Sequence, residues 1–187
     1  MLTGVGGQGL QLIAKALALT ALEEDRHVQI SSEYGGAMLG GHSLATVVVG
    51  DAPLRALPVV PAAASALALH RAFWEAVEPR LRPGALVAVN SSLFEGDIEG
   101  TDDIVRVPAT ELATEVATAM AASFVLLGAF VAVSGLVGMD HLIASVEQVV
   151  PPYRRQHIEA NQRALQAGAD AVTAGSHPLW KTRQVVR

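Results

Sequence analysis

Six residues near the start constrain this chain more than any others: Gly4-Val5-Gly6-Gly7-Gln8-Gly9. They follow the short apolar run Met1-Leu2-Thr3 and open a long helical pattern from Leu10 to Glu24. Strand, glycine turn and helix in that order match the G-x-G-x-x-G template through Gly4, Gly6 and Gly9. Glycines allow a tight turn with positive φ, and their missing side chains let a ligand reach the backbone. The unpaired N–H groups at the helix start, reinforced by the helix dipole, favour an anion such as a phosphate. A glycine-rich turn that only packs helix on sheet is the other reading of the same residues.

The helix itself is apolar nearly all round. Leu10, Ile13, Leu17 and Ala21 share a face, Leu12, Ala16 and Leu19 widen it, and Gln11, Lys15 and Glu23 mark a polar edge. Such a helix is buried on several sides. His27 to Ser31 is the expected second strand, so the first 31 residues form a strand–helix–strand unit with a right-handed crossover. Ser32 to Ser43 then carries two Gly-Gly pairs around Ala37-Met38-Leu39. That is too irregular for a strand and too glycine-rich for a helix. Loops of this composition line sites as readily as they form flexible connections.

Further strands are expected at Ser43 to Gly50, Ser65 to Leu69, Ala85 to Val89 and Ile104 to Val107. A short helix is expected over Arg71 to Leu81, followed by a turn at Arg82-Pro83-Gly84. Asn90-Ser91-Ser92 falls at a strand's C-terminal end, where ligands sit in open α/β sheets, although turn chemistry also explains it. A helix starts at Pro108-Ala109-Thr110. No residue from Val116 to Met139 is charged. This length could span a bilayer, but its Ala, Gly, Ser and Thr content and lack of a basic flank argue for a helix buried in a core or subunit interface, with Gly128 and Gly135 as points of close approach. Helices over Asp140 to Val150 and Tyr153 to Val172 follow, then a basic tail from Ser176 to Arg187 with Trp180 as an anchor.

Composition narrows the options. The 187 residues suit one domain with a real core. Hydrophobic residues make up 51% and charged ones 17%, which excludes a disordered chain and leaves apolar surface for partners to cover. Aromatics are only 4%, so the core is Ala, Val and Leu, as in buried parallel sheets with flanking helices. Without cysteine there is neither a disulfide nor a thiolate-held iron–sulfur cluster, and a cytoplasmic protein is expected. Residues 1–150 carry 7 Lys/Arg against 16 Asp/Glu, while residues 151–187 carry 6 against 2. The basic arm suits an acidic partner, a neighbouring copy or plain solvation. No nucleic-acid footprint is present.

The six histidines fall at no recognised metal spacing. There is no nucleophile elbow, no P-loop lysine and no spaced carboxylate pair. No catalytic or metal-binding residue is expected, which suggests a subunit that completes a site on other chains.

The glycine turn, then Glu33-Tyr34-Gly35 with Met38-Leu39-Gly40-Gly41, then Leu127-Gly128-Ala129 resemble the gamma-type subunit of the 2-oxoacid:acceptor oxidoreductases, a family acting on pyruvate, 2-oxoglutarate, indolepyruvate and aryl-glyoxylates. The likeness covers roughly residues 1–170. Two positions depart from it: Leu39 stands where the family usually has Arg, and Ala122 and Ser123 stand where it often has Asn. The resemblance implies an α/β fold, a Rossmann-like three-layer sandwich with a mostly parallel sheet, in one domain over residues 1–175 with a helical C-terminal part and a tail at 176–187. It implies oxidative decarboxylation of a 2-oxoacid with thiamine diphosphate, acyl transfer to coenzyme A, and electrons passed through iron–sulfur clusters to ferredoxin or another acceptor. Thiamine and clusters would lie on partner subunits, with no cofactor held by this chain alone and no activity in isolation.

Ten residues are then expected to face the cofactor and coenzyme A region: Gly4, Gly6, Gly7, Gln8 and Gly9 in the turn, and Glu33, Tyr34, Gly35, Gly40 and Gly41 in the loop. Gln8 would bond a phosphate or a neighbouring subunit. Two alternatives stand beside this. A stand-alone dinucleotide-binding protein would use Glu33, 24 residues after Gly9, to hold a ribose. A scaffold subunit would use the glycines for structure alone.

Overall fold

The computed structural model describes residues 1–35, 40–55, 59–101 and 103–179. Its sheet is built by strict alternation. Along β4 (Ala63–Ala68) and β5 (Leu81–Asn90), Leu67, Leu86 and Ala88 enter one apolar cluster, and Ala66, Ala68, Val87 and Val89 enter the other. Successive side chains in a strand point to opposite faces, so both faces of this sheet are covered. With β1 (Leu2–Val5), β2 (His27–Tyr34), β3 (His42–Gly50) and β6 (Ile104–Val107), the order is β2-β3-β1-β4-β5-β6. β1, β4, β5 and β6 run parallel, and β3 is antiparallel to both β1 and β2.

The strand–helix–strand start is present, with α1 over Leu10–Glu23, but β2 is not the neighbour of β1. β3 lies between them. The apolar Leu44-Ala45 and Thr46 of β3 are buried, whereas β2, with Ser32, Glu33 and Tyr34 exposed, takes the sheet edge. Ser32 to Tyr34, expected in an irregular loop, therefore belong to β2, and His42 and Ser43 belong to β3. Only residues 35–41 connect them, and Gly36, Ala37, Met38 and Leu39 lie outside the described residues.

Each of the five α-helices among the described residues contributes to one cluster, on one face of the sheet. α1 packs on β1, β2 and β3, and α3 (Ala122–Ser134) packs on β4, β5 and β6. α2 (Ala109–Val116), α4 (Met139–Val149) and α5 (Ile158–Asp170) cover these two in turn. The other face carries Trp74, Val77, Phe94 and Ile98 on short 3-10 turns and loops. The architecture is a single mixed α/β domain.

The long uncharged stretch is explained by this layering. α3 has the sheet on one side and α5 on the other, so nearly all its side chains are buried, Ser123 and Ser134 among them. Among the described residues no helix is long and apolar enough to cross a membrane. Gly128 serves close approach as expected: a Cβ there would strike the Leu165 carbonyl oxygen, and one at Gly168 would strike that of Val125. Gly135 does not. It ends α3 at φ 59° with open space around it, a left-handed C-cap.

Other expectations give way to local chemistry. The helix expected over Arg71 to Leu81 is two 3-10 turns, Trp74–Ala76 and Glu78–Arg80. Pro79 cannot donate within a helix, and Phe73 sits at φ 69°. Arg82-Pro83-Gly84 is not a turn between elements but an irregularity within β5, where the register jumps from Ala63↔Leu81 to Ser65↔Leu86. The last helix begins only at Ile158, after a 3-10 segment Pro152–His157. Residues 175–179 follow the end of α3: Gly175, His177 and Leu179 donate to the carbonyls of Ala132, Val133 and Ser134 at 2.8, 3.1 and 3.0 Å. Trp180 lies outside the described residues.

Candidate functional site

The glycine turn is held from inside by its own glutamine. Gln8 N–H donates to the Val5 carbonyl at 3.2 Å, and the Gln8 side-chain oxygen accepts from Val5 N–H at 2.8 Å. A Cβ on Gly4 would sit 2.6 Å from that oxygen, so Gly4 is small to admit the hook. Gly7 and Gly9 have φ of 98° and 76°, conformations an L side chain resists, and Gly9 is the N-cap of α1. Gly6 N–H donates to the Gly41 carbonyl at 2.8 Å, tying the turn to the β2–β3 hairpin. Gln11 adds a second tie. It donates to the Leu44 carbonyl at 3.2 Å and accepts from Ser32 Oγ at 2.5 Å.

These ties frame an open cleft of about 490 Å³. Gly6, Gly7 and Gly9 line it from the turn, and Tyr34, Gly35, Gly40 and Gly41 line it from the hairpin. Seven of the ten expected residues are thus brought together. Gly4 is buried in β1, Gln8 turns inward, and Glu33 is exposed on β2 away from the cleft lining. Period-two alternation explains Glu33: Tyr34 faces the α1 side of the sheet, so its neighbour faces the other.

The cleft's charge is marked by no motif in the sequence. Lys15 and Arg154 both line it, and no Asp or Glu does among the described residues. The N–H groups of Gly7, Gly9, Leu10 and Gln11 have no hydrogen-bond partner among the described residues. Two cations, uncapped N–H donors and the positive end of a 14-residue helix make this a place for an anion. Lys15 was legible in principle, four residues after Gln11 on the polar edge of an apolar helix. Arg154 was not, because only the fold carries the α4–α5 connection to the α1 start.

His42, one of the scattered histidines, also lines the cleft. Its ring lies 5.0 Å from that of Phe73, and its buried Nε2 has no hydrogen-bond partner among the described residues. Around the mouth stand exposed apolar side chains: Tyr34 and Met120 line the cleft, and Tyr153 stacks beneath Arg154. The expected polar end of β5 is a capping device. Asn90 Oδ1 accepts from Ala109 N–H at 3.0 Å, and Ser92 Oγ accepts from Thr110 N–H at 3.1 Å, so both serve the start of α2. Ser92 also donates to Glu111, which holds that carboxyl below its ordinary pKa. No group of three or more His, Asp or Glu is placed to hold a metal among the described residues.

Comparison with known proteins identifies the family. Residues 1–171 match the family model described as pyruvate ferredoxin/flavodoxin oxidoreductase. The 2-oxoglutarate synthase subunit KorC of Methanothermobacter thermautotrophicus is 30% identical over 186 residues, spanning 94% of this chain and 95% of that one. The pyruvate synthase subunit PorC of the same organism is 30% identical over 151 residues, 79% and 82% of the two chains. In solved structures, the gamma subunit of a keto/oxoacid ferredoxin oxidoreductase from Geobacter sulfurreducens superposes with a TM-score of 0.77 at 26% identity, over 91% of this chain and 95% of that one. A 2-oxoglutarate:ferredoxin oxidoreductase from Magnetococcus marinus, solved with 2-oxoglutarate, coenzyme A and succinyl-CoA, shares the fold at a TM-score of 0.80 and 18% identity, over 96% of this chain and 32% of that one. With a family model matched over 171 residues and relatives of 30% identity along most of its length, the chain belongs to the pyruvate ferredoxin/flavodoxin oxidoreductase family, as a gamma subunit of a multisubunit 2-oxoacid:ferredoxin oxidoreductase.

Proposed function

We propose that the cleft between the glycine turn and the β2–β3 hairpin holds the phosphate-bearing part of coenzyme A. Partner subunits would carry the thiamine diphosphate, the iron–sulfur clusters and the 2-oxoacid. The observation that carries this reading is that Lys15 and Arg154 line the same cleft as the N–H groups at the start of α1 that have no partner among the described residues. Coenzyme A is the strongly anionic reactant of this chemistry, and it is bound in the Magnetococcus enzyme that shares the fold. The residues present fit it: two cations for phosphates, and glycines that let the phosphate oxygens reach the backbone. They do not fit a cluster, since the chain has no cysteine. The apolar rim of Tyr34, Met120 and Tyr153 suits a partner subunit that closes over the cleft and excludes water.

The dinucleotide alternative loses its main support. In that fingerprint the acid stands at the end of the strand next to β1 and reaches the ribose. Here β3 occupies that place, and Glu33 is outside the cleft lining.

The test uses the complex purified with its partner subunits. Lys15→Ala and Arg154→Ala are expected to raise the KM for coenzyme A about 5- to 10-fold each, the scale of one charge-assisted contact. The KM for the 2-oxoacid stays unchanged. An unaltered coenzyme A KM in both variants counts against the cleft, and saturable binding of NAD to the wild-type complex that both variants weaken revives the alternative.

A further inference from the structure

The two edges of the sheet are built differently. β6 is four residues long and β2 is eight. Exposed edges are ordinarily blunted by shortness, lysine, proline or a bulge. β2 has none of these. Its pairing with β3 runs unbroken from His27↔Gly50 to Tyr34↔Ser43, and its middle, Val28-Gln29-Ile30-Ser31-Ser32, carries no charge. Among the described residues no strand pairs with its outer side.

The ladder with β3 fixes which groups face outward. Gly35 N–H donates to the His42 carbonyl at 2.7 Å, one pair beyond Tyr34↔Ser43. Bonded and non-bonded pairs alternate along an antiparallel ladder. His27, Gln29, Ser31 and Glu33 therefore bond β3, whereas Val28, Ile30 and Ser32 direct their N–H and C=O groups away from it. The side chains of these three stand on the helical face, because Val49, Val47 and Ala45 opposite them belong to the helix-covered cluster. Ile30 is 40% exposed there. Leu22 is 52% exposed and lies about three turns along α1 from Gln11, on the same face, and Gln11 bonds Ser32. Exposed apolar side chains thus border an unpaired backbone.

This edge is complementary to itself. Antiparallel pairing of two copies about Ile30 sets Ile30 against Ile30, Val28 against Ser32 and His27 against Glu33. Val28, Ile30 and Ser32 then make the bonded pairs, as their outward groups require. Glu33 meets a histidine that can donate to it, and no carboxylate meets a carboxylate. A foreign strand would be served equally well by the backbone, so the match of His27 with Glu33 is what names the copy. We infer that β2 is the docking edge for a second copy of this chain, the two sheets joining across a two-fold axis at Ile30. Such a contact closes on itself and leaves no edge for a third copy. It is independent of what the cleft holds, since the ladder ends at Glu33 and leaves Tyr34 to the cleft.

The chain has no cysteine, so a single introduced thiol reports this contact in the complex with its partner subunits. The oxidant is diamide, used without oxygen, and cross-linked bands from denaturing gels are assigned by peptide mass. Ile30→Cys is expected to give a disulfide between two copies of this chain, because facing Cα atoms in a bonded pair are about 5.5 Å apart, within disulfide reach. Val28→Cys gives none: the two copies of that position lie four strand steps apart, about 13 Å. Adding Glu33→Lys to Ile30→Cys slows the cross-link about 2- to 5-fold, the range of one exposed charge pair, and adding His27→Glu to both restores the rate. The melting temperature of Ile30→Cys stays near wild type, as suits a surface position, so a missing cross-link reports the contact and not lost folding. A missing cross-link, a cross-link to another subunit, or equal cross-linking of Ile30→Cys and Val28→Cys overturns the two-fold edge. A cross-linking rate that Glu33→Lys leaves unchanged overturns the pairing of His27 with Glu33, and with it the register.

Discussion

Glycines do opposite work in two regions of this molecule. In the α3–α5 seam, Gly128 and Gly168 are glycine because there is no room: an added Cβ meets the backbone carbonyl of the facing helix in both cases. In the β1–α1 turn and the hairpin, Gly7 and Gly40 have nothing among the described residues within 4 Å of where a Cβ would be, yet both have positive φ. The seam spends small residues on bringing two helices together, and space there is already filled. The turn spends them on leaving backbone uncovered, and space there is open. Glycine against a backbone marks core, whereas at Gly7 and Gly40 the left-handed backbone leaves main chain open along the cleft.

The seam gives the largest expected effect. Gly168→Ala places a methyl group into the Val125 carbonyl with Ala129 N only 3.0 Å away, and neither is a flexible side-chain end. The helices must separate, and overpacking of a tight core costs about 3 kcal/mol or more at its upper end. Thermal unfolding of the complex and the yield of folded subunit measure it. A Gly168→Ala subunit that melts within a degree of wild type would falsify the account of the seam.

The turn gives a smaller effect on stability and a larger one on function. Gly7→Ala meets no atom, so its cost is the left-handed backbone alone, about 1–2 kcal/mol. The complex is expected to assemble. Its KM for coenzyme A is expected to rise several-fold while electron transfer to an artificial acceptor from pre-reduced clusters is unchanged. If Gly7→Ala instead blocks assembly, the turn is a scaffold like the seam and the contrast between them dissolves.

The same contrast explains what was legible in the sequence. The strand, glycine turn and helix are legible because G-x-G-x-x-G between a strand and a helix has a short-range cause. The α3 stretch was read as a buried helix because an unbroken run without charge leaves no solvent face. Long-range placement was not legible. Nothing local to Arg154 says that the α4–α5 connection lines the same cleft as Lys15, and nothing in His27 to Gly50 says that β3 slips between β1 and β2. Glu33 shows how an offset counted along the chain fails. The acid sits at the usual distance from the turn, but the inserted strand moves it to the sheet edge.

The C-terminal end of β5 tests whether a polar strand end belongs with the open turn or with the packed seam. Asn90 and Ser92 bond the first N–H groups of α2, which has no side-chain cap of its own because Pro108 precedes it. Ser92 is therefore a packing residue, acting as an N-cap supplied by another element, and its loss should cost about 1 kcal/mol. The variant Ser92→Ala also removes the donor that lowers the pKa of Glu111. A carboxyl with a lowered folded pKa adds stability that is present above its unfolded pKa and is lost as pH falls through the folded value. The melting-temperature gap between wild type and Ser92→Ala should therefore be widest at neutral pH and narrow on acidification below the ordinary carboxylate range. The narrowing is small because Glu111 is at the surface, where solvent screens it. A gap that does not change with pH would leave Ser92 a simple cap. A variant as stable as wild type but impaired in coenzyme A turnover would move the end of β5 from the packed region to the ligand-facing one.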